Sequence, residues 1–93
     1  MYGVAGTIEV FLPDSHSLKE RRKIVNSLKA KLHKNHNMSV ADVSDDNIWQ
    51  RARLDFALVA SSMQSLQETS DAVDRLLVSY PELEIIRYDF KYL

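Results

Sequence analysis

The sequence predicts an α+β fold with its elements in the order βαββαβ, giving a four-stranded antiparallel sheet covered by two helices on one face. Three observations carry this reading. Strand-like alternation of apolar and polar residues runs through 2–12, 49–61 and 83–92. Apolar residues recur with helical period through 17–36 and 65–80, and each of these segments opens on a Ser with a Glu three positions later. Clusters of Pro, Asp, Asn and Ser punctuate the joins.

The first strand, Tyr2 to Leu12, puts Val4, Gly6, Ile8, Val10 and Leu12 on one face and Gly3, Ala5, Thr7, Glu9 and Phe11 on the other. Its two glycines match neither a dinucleotide nor a phosphate-loop motif, so they read as places of close strand packing or a distorted strand start. Pro13-Asp14-Ser15-His16 then turns the chain into a helix, with Ser17 as N-cap and Glu20 completing a capping box. Leu18, Ile24, Val25, Leu28 and Leu32 share one sector of about 120° on this helix. It ends between His33 and Asn37, where Asn35 or Asn37 suits a left-handed cap and Lys34 and His36 complement the helix dipole.

Met38 to Ser44 is a short second strand, placed at a sheet edge, and Asp45-Asp46-Asn47 turns into a third strand from Trp49 to Ser61. Here Ala52, Leu54, Phe56, Leu58 and Ala60 oppose Arg51, Arg53, Asp55, Ala57 and Val59. A second helix from Ser65 to Tyr80 carries Leu66, Val73, Leu76, Leu77 and Tyr80 inward and stops at Pro81. The last strand, Leu83 to Tyr92, divides into Leu83, Ile85, Arg87, Asp89 and Lys91 against Glu84, Ile86, Tyr88, Phe90 and Tyr92. The aromatic set of Tyr88, Phe90 and Tyr92 suits core packing, a strand-mediated homodimer or a stacking surface.

Length and composition set the outer limits. Residues 1–93 fit one domain with a core able to fold without a metal or disulfide. Cysteine is absent, which removes disulfides, thiol catalysis and cysteine-rich zinc sites and suits a reducing, cytoplasmic setting. No apolar stretch approaches the ~20 residues of a helical membrane span. No basic segment with an apolar core marks a secretory signal.

The formal charge of −1 conceals a strong asymmetry. Between Ser17 and His36 seven Lys/Arg face one acid, a charge of +6, while the remainder carries −7. On the helix, Lys19, Lys23 and Lys34 lie opposite the apolar sector, with Arg22 and Lys29 on one flank and Lys31 on the other. Lys19, Arg22, Lys23, Lys29 and Lys34 are therefore candidate phosphate contacts, with Trp49 and Arg51 as a secondary patch.

Other polar groups carry less. His33 and His36 lack a third ligand, and the spacing of Asp42, Asp45 and Asp46 is not that of a calcium-binding loop, so no metal or cofactor is assigned. Arg21 projects towards the apolar sector. Either it converges with His16, Arg22, Asp42 and Arg51 on a small anion, or its stem packs while its charge stays in water. No nucleophile–base pair is identifiable, and no catalytic residue is assigned.

With Ser17-Leu18-Lys19-Glu20-Arg21-Arg22, Val40-Ala41-Asp42-Val43 and Ile48-Trp49-Gln50-Arg51-Ala52, the chain closely resembles the DUF503 family, also called YlxP-like proteins, over residues 2–93. That resemblance implies an uncharacterised bacterial protein with a ferredoxin-like fold. In some bacteria genes of the family lie near translation-initiation and ribosome-maturation genes, so the resemblance favours a ribosome-associated role without assigning one. Two functional expectations follow. One is a module that binds RNA or a ribosomal subunit through the basic helix. The other is a protein-interaction or homodimer-forming module that uses the free sheet face, with Ala5, Ala57, Val59 and the aromatic last strand. A small-anion enzyme ranks third.

Overall fold

A computed structural model describes residues 1–93. The elements are β1 (Tyr2–Phe11), α1 (Leu18–His36), β2 (Ser39–Asp42), β3 (Arg51–Ala60), α2 (Met63–Val78) and β4 (Glu84–Tyr92). The strands are antiparallel in the order β2-β3-β1-β4, with both helices on one face, which is the ferredoxin-like arrangement. The core lies between the layers. Val4, Ile8, Val10, Ala52, Leu54, Phe56 and Leu58 of the sheet meet Val25, Leu28 and Leu32 of α1 and Leu66, Val73 and Leu77 of α2. Leu18, expected inward, stays outside this core, and Arg21 takes an inward position instead.

Local chemistry sets the ends of α1. The Ser17 hydroxyl accepts the Glu20 N–H at 3.1 Å, while the Glu20 carboxylate accepts the His16 N–H at 2.7 Å. Asn37 closes the helix in the left-handed region, at φ 53° and ψ 39°, and its N–H reaches the Leu32 carbonyl. β2 is shorter than the alternation suggests, because Asp42 turns its carboxylate onto the Ser44 N–H (3.0 Å) and the strand gives way to a turn. β3 starts at Arg51, which leaves Trp49 in the preceding loop.

The first turn of α2 departs from expectation. Ser62, not Ser65, is the N-cap: its hydroxyl accepts the Ser65 N–H at 3.0 Å and its carbonyl accepts the Leu66 N–H at 3.1 Å. Met63, Gln64 and Ser65 thereby form a first turn that the Ser65–Glu68 spacing had concealed. β4 holds a second departure. Glu9 pairs with Arg87 but Val10 with Ile85, so one residue is inserted as a bulge at Ile86.

The bulge resets the alternation and places Ile85, Tyr88, Phe90 and Tyr92 on the helix-covered face. The free-face role expected for the aromatic strand is therefore corrected. Tyr88 and Phe90 pack against the core, with ring centroids 6.0 Å apart for Phe56–Tyr88 and 5.7 Å for Tyr88–Phe90. Phe90 lies over Gly6, where a Cβ would overlap the Asp89 carbonyl and approach Phe90 Cα to 2.8 Å. Gly6 is thus required by close approach of backbones.

Candidate nucleic-acid interface

The orientation of α1 follows from its buried side. Arg21, Val25, Leu28 and Leu32 face the sheet, which forces Lys19, Lys23 and Lys34 outward. Lys19, Arg22, Lys23, Lys31 and Lys34 are exposed and Lys29 is half-buried. The protein's six ion pairs leave all five lysines of this helix without a carboxylate partner. Lys31 instead sits 4.7 Å from the Tyr80 ring centroid. Arg22 reaches Asp46 at 3.3 Å, so its charge is partly offset.

Arg21 is the residue that sequence reasoning placed incompletely. Its side chain is 1% exposed, and its guanidinium donates to Asp45 O (2.7 Å), Ile48 O (2.8 Å) and Asp46 Oδ1 (2.8 Å). It ties the β2–β3 loop to α1, so neither a solvated charge nor a ligand-binding arginine describes it. Its buried Nε has no partner, which leaves part of the desolvation cost uncompensated. The clue in the sequence was an arginine in the apolar sector; its partners lie 24 to 27 positions away.

The same loop carries Trp49, half exposed, one residue beyond the Ile48 carbonyl that Arg21 holds. Trp49 is therefore in a loop that Arg21 anchors to the N-terminal half of α1. Arg51 is not: it lies opposite Phe11 on the uncovered sheet face, 3.9 Å from Glu9. The expected secondary patch is thus split between a loop and the uncovered sheet face.

Charge covers the uncovered face more evenly than expected. Glu9 stands between Arg51 (3.9 Å) and Arg87 (3.7 Å), Arg87 also meets Asp89 (3.6 Å), and Arg53 meets Asp55 (3.3 Å). Thr7 donates to the Asp55 carboxylate at 2.9 Å. Alternating signs across adjacent strands make this surface self-neutralising, with Ala5, Phe11, Ala41, Ala57 and Val59 as its apolar members.

A groove of about 460 Å³ beside α1 is lined by Asp14, Ser15, Glu20, Lys23, Ile24, Ser27, Tyr80 and Glu82. It includes none of His16, Arg21, Arg22, Asp42 or Arg51, so the expected anion-binding set does not converge there. The aspartates of the β2–β3 connection are occupied locally: Asp42 accepts from Ser44, Asp45 from the Asn47 N–H (2.9 Å) and Asp46 from the two arginines. His33 Nδ1 lies 3.0 Å from the Met38 carbonyl and ties the end of α1 to the start of β2.

Comparison with known proteins agrees with this fold. The family model DUF503, described as a protein of unknown function, matches residues 4–90. "Uncharacterized protein YlxP" of Bacillus subtilis (strain 168) is 28% identical over 76 residues, spanning 82% of this chain and 83% of that protein. Among solved structures, 30S ribosomal protein S6 from Thermotoga maritima superposes with a TM-score of 0.56 at 12% identity, covering 100% of this chain and 89% of that one. At that identity the likeness is one of fold.

Proposed function

We propose that this chain, which belongs to the DUF503 family, is an RNA-binding module that docks on a ribosomal subunit through the outward face of α1. The observation that carries the reading is a helix whose buried side is fixed by the core and whose outward side holds lysines that no carboxylate neutralises. Lys19, Lys23 and Lys34 meet the phosphates centrally, Arg22 and Lys29 extend the contact along one flank, and Trp49 offers a ring for an unstacked base. Phosphate contacts of this kind fix position and orientation without reading sequence. A fold shared with a 30S ribosomal protein is compatible with such a partner. No helix here is long and apolar enough to cross a membrane, and a ribosomal partner puts the protein in the cytoplasm.

The test is a salt series with structured ribosomal RNA. Each phosphate neutralised contributes roughly 0.7–0.9 to the slope of log affinity against log salt, so K23Q/K34Q lowers the slope by about 1.5. An association insensitive to salt contradicts this mechanism. A second reading, a protein-interaction module, rests on a different feature: β4 runs nine residues along an outer edge of the sheet.

A further inference from the structure

We infer that the outer edge of β4 pairs antiparallel with the β4 edge of a second copy of this chain, with Phe90 on the two-fold axis. This does not rest on the RNA-binding reading. The sheet has two edges, and β2, at four residues, offers a short one. β4 is long, and its outward backbone groups are a template for another strand.

Hydrogen-bond phase fixes which residues present that template. The Leu93 N–H donates to the Gly3 carbonyl at 2.9 Å. Antiparallel pairing alternates inward and outward backbone groups, so Arg87, Asp89 and Lys91 also turn theirs towards β1. Tyr88, Phe90 and Tyr92 turn theirs away from it. The bulge at Ile86 breaks this phase upstream, leaving Arg87 to Leu93 as the regular stretch.

Charge then selects the register. With the axis at Asp89, Asp89 faces its own copy and Arg87 faces Lys91 of the second copy. An axis at Lys91 sets two lysines opposite each other. Centring on Tyr88 brings Phe90 against the bulged Ile86. Only an axis at Phe90 keeps to the regular stretch and pairs opposite charges, with Asp89 facing Lys91 twice on the uncovered face. On the helix side, the same register sets Phe90 against Phe90 and Tyr88 against Tyr92, which is 57% exposed in the single chain. The self-neutralising charges of the uncovered face make stacking through that face a poorer route to a dimer.

The experiment is sedimentation velocity on the full chain across a concentration series, with circular dichroism to check folding. Wild type is expected to pass from monomer to dimer. D89K and K91D each place like charges opposite one another and lose the dimer. The double exchange D89K/K91D restores it, and mixing the two single variants yields a heterodimer. A wild type that stays monomeric at every concentration overturns the inference, as does a dimer that both single variants retain.

Discussion

Arg21 shows how a single residue joins helix to loop. Its three hydrogen bonds end on two carbonyls and one carboxylate, and Asp46, the charged partner, is 61% exposed. The carbonyl bonds and the buried stem therefore outweigh the ion pair, whose charge is screened by water. R21A is expected to cost about 2–4 kcal/mol in urea unfolding and D46A about 0.5–1 kcal/mol; equal losses would place the energy in the ion pair. Gly6 makes a steric prediction. G6A forces β1 and β4 apart, costs about 2–4 kcal/mol, and gives faster amide exchange in β4 than in β3. Tyr88 adds a dependence on pH. Its hydroxyl lies 3.2 Å from Ser70 Oγ, and burial pushes its pKa above 10.0, with Asp74 and Asp71 adding to the rise and the Ser70 bond opposing it. Because the folded state holds this proton more tightly, the contribution is fully present below the unfolded value near 10 and is lost as pH rises through the folded one. Stability measured from pH 9 to 12 should fall less steeply in Y88F; parallel curves would show that Tyr88 does not drive the loss.

At the scale of elements, what was legible followed from periodicity. β1, β3 and α1 announced their faces because long runs of alternating or helical apolar residues allow one burial pattern each. The existence of α2 is legible but its start is not, since Ser62 and Ser65 are both followed by plausible first turns and only the fold shows which hydroxyl reaches an orphan N–H. The expected result is that S62A costs about 1 kcal/mol while S65A costs a few tenths, measured by thermal unfolding; the reverse order would restore the later start. β4 was legible as a strand but not in its facing. A bulge depends on the register of the neighbouring strand, and no local pattern in Glu84 to Tyr92 marks the extra residue. That one insertion puts Ile85 rather than Ile86 on the face of Tyr88, Phe90 and Tyr92, and of the roles this aromatic row suited, core packing holds for Tyr88 and Phe90.

At the scale of the whole molecule, charge is sorted rather than balanced. The basic excess between Ser17 and His36 lies on one outward helix, while pairing across β1, β3 and β4 neutralises the opposite face. The lysine face was legible because helical spacing fixes it once the apolar sector is known. The placement of Trp49 in a loop and of Arg51 on the uncovered sheet face was not, because both depend on where the β2–β3 loop ends. A polyanion approaching this molecule meets one attractive side, which favours oriented docking over general adhesion. The most direct test compares wild type with K19Q/R22Q/K23Q for binding to purified bacterial ribosomal subunits across a salt series, with the fold of each verified. The account predicts that wild type binds one subunit with an affinity that falls steeply as salt rises, and that the variant stays folded and loses that binding. Equal binding by both proteins, or none by either, would contradict it.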